Sequence, residues 1–476
     1  MSDSSSGGSW AEIFTPRYAT VTLILCLGVA LFAFNAFLAS VALPTAVQQL
    51  GGIALISWAL TLYLVFAIMG GAGAALLKQR LGSRTALLVS AGLFIAGTLI
   101  AATASSMAEV LVGRAVQGLG EGIMAAICFA LIPELFPSRL VPKVFGMQAV
   151  VWAVAAFGGP VGAGLLTELV SWRAAFLVNV PLVAIFVAGV LFVVPGKNRD
   201  AAPVAVGFPG IRLLAIGAGI MLVALAGITP PLEAAALLVG AAVLLVGAVL
   251  LDRRSRIRLM PLGAYWPGSV VGSGLIVALL MPVAQAGAAV YLILLMQQLW
   301  GYGPTVAGGI GAVMAVAWSA SAITVANVQR GTRKYLMRSG PALVTLGLAG
   351  LLAGLLSEQL AIVIVAQLAI GAGFGISNGY LNLSMMEAAS DEERDRTSAL
   401  LPTTQSAGNA IGAALAGVAA NSAGYASATT ADQIHQAIVP VFILGAVIAG
   451  CAFLASLRMT GLMARSTNTS AFAAAE

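Results

Sequence analysis

The sequence predicts an all-α polytopic membrane protein with fourteen transmembrane helices, and three observations predict it. Of its 476 residues 60% are hydrophobic and 8% charged, with a mean hydropathy of +1.02, against about 25% charged in soluble domains. Apolar segments long enough to cross a hydrocarbon core of about 30 Å recur along the whole chain, and backbone in lipid must satisfy its own hydrogen bonds, which makes them helices. Basic residues gather in alternate loops, the bias that marks the cytoplasmic side.

The spans are expected at 19–44, 53–77, 85–107, 109–135, 144–169 and 173–195, then 210–229 and 232–251, then 269–299, 305–328, 340–357, 359–387, 398–422 and 436–458. Loop charge justifies each pair in turn. After the second span come Lys78, Arg80 and Arg84; after the fourth, Arg139 and Lys143; after the sixth, Lys197 and Arg199. Arg253, Arg254, Arg256 and Arg258 follow the eighth, Arg330, Arg333, Lys334 and Arg338 the tenth, and Arg394 and Arg396 the twelfth. The outer loops keep only Arg173. A twelve-helix reading with 210–251 outside the membrane breaks this alternation.

The expected organisation is a cytoplasmic tail (1–18), a six-helix bundle (19–195), a linker with an inserted two-helix hairpin (196–258), a second six-helix bundle (259–458) and a cytoplasmic tail (459–476). Gly82-Ser83-Arg84 and Gly331-Thr332-Arg333 follow the second helix of each bundle, as repeated halves would predict. The net charge of +6 sits in loops facing anionic lipid, so the partners are the bilayer and small molecules, with no nucleic acid. Cys26, Cys128 and Cys451 lie inside spans and read as small apolar residues. With one His and no clustered ligands, neither a metal, a cofactor nor an enzyme is expected. No Gly-x-x-x-x-Gly-Lys-[Ser/Thr] loop is present, so a gradient must drive any transport.

Among 23 basic and 17 acidic residues, only Arg114 and Glu121 fall deep inside an apolar segment. A charge at the bilayer centre costs about 3 kcal/mol on insertion scales, so its default reading is functional. Seven residues of α-helix turn 700°, leaving the two about 20° apart in azimuth and roughly 10 Å apart along the axis, with Gln117 between them. Burial penalises an ionised Glu121 and Arg114 favours it, which poises the carboxyl to gain and lose a proton. The alternative is a permanent structural partner.

Five motifs resemble the major facilitator superfamily, within it the fourteen-helix drug:proton antiporter branch. They are Ala42-Leu43-Pro44; Arg114-x-x-Gln117-Gly118-x-Gly120; Gly159-Pro160-x-x-x-Gly164; Trp172-Arg173-x-x-Phe176-x-x-Asn179-x-Pro181; and Gln297…Gly301-Tyr302-x-Pro304-x-x-Ala307-Gly308. The resemblance implies a monomeric inner-membrane carrier, two six-helix bundles plus the hairpin, with both termini cytoplasmic. It implies gating roles for Gln79, Arg80, Gly82 and Arg84 in the loop between helices 2 and 3, and for Gly159, Pro160 and Gly164 in helix 5. It also places helices 1 and 4 on a central cavity, so that Asn35, Gln117, Phe34, Phe37, Gln148, Trp152, Tyr291, Gln297, Asn378 and Gln405 are candidate substrate contacts and Glu121 with Arg114 the proton-coupling pair.

The departures from the pattern are amides. Asn35 stands where this branch carries an acid in helix 1, Gln79 where the gating loop carries one, and Gln405 where helix 13 often carries Arg. The first removes the usual protonation site and the second weakens the gate. The expected function is export of amphipathic small molecules coupled to inward protons; the alternative is a substrate-specific exporter or uncoupled facilitator.

Overall fold

In the computed structural model, which describes residues 10–137, 140–196, 209–255, 258–325, 328 and 330–473, every regular element among the described residues is helical. Residues 1–9, Arg139, the 197–208 linker with Lys197 and Arg199, Arg256 and residues 474–476 lie outside that description. In order come α1 (Ala19–Leu50), α2 (Ile56–Leu81), α3 (Ser83–Ala102), α4 (Met107–Leu135), α5 (Val141–Leu169), α6 (Trp172–Leu177) and α7 (Asn179–Val193). Then follow α8 (Gly210–Ala226), α9 (Pro231–Arg254), α10 (Val270–Leu299), α11 (Pro304–Thr324), α12 (Arg330–Leu356), α13 (Leu360–Ala388), α14 (Asp391–Ser422) and α15 (Ala431–Ala473).

Helices occupy all of the expected positions, and 12 described stretches are long and apolar enough to cross a membrane. The other two are α8, whose 17 residues rise only about 25 Å, and α14, which opens on Asp391-Glu392-Glu393-Arg394-Asp395-Arg396. The sixth span is one apolar stretch of 22 residues, Trp172–Val193, in which Pro181 cannot donate to the carbonyl of Leu177; the missing bond separates α6 from α7 at Val178, whose φ −59° and ψ −23° stay helical. Asn179 Nδ2 donates to Phe176 O at 3.2 Å beside that missing bond. At the far end α15 stays helical to Ala473, so the stretch expected as a tail continues the last helix.

The chain divides into two compact units, Met1–Gly51, Val65–Phe208 and Gly303–Gly308 in one, and Gly52–Leu64, Pro209–Tyr302 and Gly309–Glu476 in the other. The first has a core of Leu25, Phe94, Ile123, Cys128 and Phe186 among others, between α1, α3, α4 and α7. Cys26 is buried with it, whereas Cys451 is exposed on α15. Arg173, in the first turn of α6, has a structural role: its Nη2 donates to Ala104 O at 2.9 Å and its guanidinium lies 4.3 Å from the Trp172 ring centroid.

In the second unit the hairpin helices are pinned at one end by a buried carboxylate. Asp252, 1% exposed, pairs with Arg212 from the first turn of α8, accepts from Leu259 N at 2.8 Å and Met260 N at 3.0 Å, and accepts the Tyr265 hydroxyl. Burial first, then the bond to Asp252, hold the Tyr265 phenol well above the usual tyrosine range, so it remains a donor at working pH. Breaking a buried charge pair costs about 3–5 kcal/mol. Asp252→Ala is expected to lower the melting temperature in detergent clearly, while Arg254→Ala on the exposed side of α9 leaves it unchanged.

Candidate functional site

The two deep charges meet amides and hydroxyls of neighbouring helices. Asn35 Nδ2 on α1 donates to Glu121 Oε2 on α4 at 2.8 Å. One turn from Glu121, Gln117 receives Arg114 Nη1 at 2.8 Å through its Oε1 and gives its Nε2 to Thr98 Oγ1 on α3 at 2.9 Å. Close helix approach makes this possible. Gly122, the residue after Glu121, has Ala67 O of α2 only 2.0 Å from where a Cβ would stand, so no larger residue fits there.

The seam is closed. Asn35, Gln117 and Glu121 are 0% exposed and Arg114 1%. The sequence suggests a polar strip on an open cavity wall; in this conformation the strip is enclosed in the contact between α1, α3 and α4. Gln148, another expected cavity amide, is also buried, its Nε2 reaching Leu25 O of α1 at 3.4 Å.

The aromatic candidates remain partly accessible. Trp152 on α5 is 37% exposed and meets the Phe32 ring edge-on at 5.8 Å. Phe37 packs over Gly159, whose Cβ would lie 2.7 Å from the Phe37 Cβ, and a Cβ on Gly158 would lie 3.9 Å from the Phe34 ring. Further along α5 a Cβ on Gly164 would stand 2.4 Å from Thr305 Cα and 2.7 Å from Thr305 N. Pro160 O lies 2.9 Å from where a Cβ of Gly308 would stand. Four residues after Gly164, Glu168 accepts from Thr305 N at 3.0 Å and from Thr305 Oγ1 at 2.6 Å, capping the first turn of α11 with a carboxylate. Sequence reasoning missed Glu168; its helical spacing from Gly164 was the available signal.

In the loop between α2 and α3, Gly82 has φ +81°, a conformation that favours glycine. Arg84 Nε donates to Val194 O at 2.9 Å, with a further bond to Leu191 O, so it caps the end of α7. Lys78 pairs with Glu134 at the end of α4. Gln79 is half-buried and Arg80 exposed.

Within the second unit the expected residues do not form one cluster. Gln405 Nε2 donates to Asn378 Oδ1 at 3.3 Å, both side chains partly exposed. Tyr291 is 0% exposed and packs edge-on against Tyr425 at 5.3 Å, so it is core rather than cavity lining. Gln297 is half-buried near the end of α10. Trp318 on α11 and Phe374 on α13 stack at 4.7 Å.

Residues 25–413 match the sequence pattern of the Major Facilitator Superfamily. The chain belongs to that family. A probable multidrug-efflux transporter of Mycobacterium tuberculosis is 29% identical over 474 residues, covering 93% of this chain and 96% of that one. The multidrug transporter MdtP of Bacillus subtilis is 24% identical, covering 84% and 75%. Among solved structures a D-xylose–proton symporter superposes with a TM-score of 0.62 at 17% identity, covering 93% of this chain and 97% of that one. A peptide transporter does so at 0.66 and 14%, covering 94% of each. At those identities they show the fold alone. This superfamily member is thus a multi-pass membrane transporter, not an enzyme.

The Gly164 contact is with backbone, which cannot move aside cheaply, whereas nothing lies within 4 Å of a Cβ on Gly162. Gly164→Val is expected to abolish a sharp melting transition or to lower it by many degrees, and Gly162→Ala to leave it in place, read by thermal unfolding in detergent.

Proposed function

We propose that this transporter exports amphipathic small molecules by alternating access, coupled to inward proton movement, with Glu121 as the group that takes and releases the proton. The observation that carries the reading is the Asn35–Glu121 hydrogen bond of 2.8 Å, wholly enclosed in a span. A carboxyl in that setting holds charge only at a cost that protonation removes, and enclosure keeps the proton from leaking between the two sides. Export is supported by the names of relatives at 24–29% identity. Arg114 orients the seam through Gln117, while the accessible aromatics Phe34, Phe37 and Trp152 meet flat apolar substrates. The chain works as a monomer in the inner membrane with both termini cytoplasmic.

An uncoupled facilitator or a substrate-specific exporter is the second reading, favoured by the amides at positions 35 and 79. Proteoliposomes with an imposed pH gradient separate the two, using ethidium, a neutral macrolide and a zwitterionic quinolone as probes. Coupling predicts gradient-driven accumulation of at least one probe in the native protein and its loss in Glu121→Gln. Accumulation that ignores the gradient, or survives intact in Glu121→Gln, rejects the assignment.

A further inference from the structure

The Asn35 amide is half used. Its Nδ2 donates to Glu121 Oε2, but its Oδ1, in a residue 0% exposed, accepts no hydrogen bond. An orphaned buried acceptor is costly, so its presence beside a carboxylate asks for a reason. An ionised Glu121 is an acceptor only and takes the amide N–H; a protonated Glu121 carries an O–H and needs an acceptor. The two ends of an amide are nearly the same size, and half a turn about Cβ–Cγ exchanges them.

We propose that Asn35 is the positioning residue for the coupled proton, its amide turning so that α1 stays hydrogen-bonded to Glu121 in both protonation states. This rests on the reading of Glu121 as the proton site. A proton from water adds to a lone pair of Oε2, the amide turns, and the new O–H donates to Asn35 Oδ1. On release the proton returns to water on the other side and Nδ2 swings back. The contact between α1 and α4 thereby survives titration.

The charges around the pair leave this task to Asn35. On α4 itself the other deep charge is Arg114, two turns away. Across the packed faces, α1 has no Asp, Glu, Lys, Arg or His. α3 has only Arg84 at its start, α2 only Lys78 and Arg80 at its end and the phenol of Tyr63, and α5 only Lys143 and Glu168 at its ends. An acid at position 35 would set two carboxylates at 2.8 Å, able to hold only one negative charge. The amide and the relocated acid are thus one arrangement.

Infrared difference spectra of the purified full-length protein between acid and alkaline pH test the inference, the Glu121 carboxyl band being assigned by its loss in Glu121→Gln. Asn35→Ser, whose hydroxyl can both donate and accept, is expected to keep the band and its pH midpoint. Asn35→Val, which can do neither, is expected to move the band to the frequency of a carboxyl donating no hydrogen bond and to shift its midpoint by about one pH unit. Should the Val variant fail to reach the membrane, Asn35→Ala takes its place. An unchanged band and midpoint in the Val or Ala variant overturns the role of Asn35 while leaving Glu121 intact. If no carboxyl band is lost in Glu121→Gln, the underlying reading fails instead.

Discussion

The structure of the first unit is organised around one costly object, the Glu121 carboxyl group, held inside a membrane span and enclosed in this conformation. Glu121 is tolerable there because α1 brings an amide N–H to it, and because Arg114 and Gln117 extend the same polar line toward Thr98 of α3. That line can be dry only if the helices around it touch closely. Gly122 against Ala67 is the contact that closes α2 over the turn carrying the acid. Small residues in this helix are therefore not filler; they seal an electrostatic site.

Donors answer two other carboxylates in the same way, Asp252, which is buried, and Glu168, which is exposed. Asp252 is surrounded by Arg212, two backbone N–H groups and a phenol, and Glu168 sits on the first turn of α11, where N–H groups lack helical partners. These two are fully answered by fixed donors and hold elements together. The Asn35–Glu121 pair differs in having an amide end left over, and an incomplete arrangement of that kind suits a group that changes state.

Much of this was legible in the sequence. Apolar runs located the helices, because lipid leaves the backbone no other solution, and the rarity of deep charge singled out Arg114 and Glu121. The pairing of position 35 with 121 was legible only in that helices 1 and 4 were both expected on one central cavity. Whether an amide such as Gln148 lines a cavity or glues two helices was not, since both uses place one polar residue on an apolar helix and the partner, Leu25 O, is a backbone atom with no sequence signature. Contacts such as Glu168 with Thr305 join distant segments and are written in geometry alone.

A membrane-soluble carbodiimide reacts with carboxyls that are protonated and lie in an apolar setting, so peptide mass mapping after its addition reads the central claim directly. Modification of Glu121 that rises as pH falls, and that an exported compound slows, is the predicted result. A Glu121 that stays unmodified at every pH while carboxyls elsewhere react would mean that it never cycles through a reachable protonated state, and the account would be wrong.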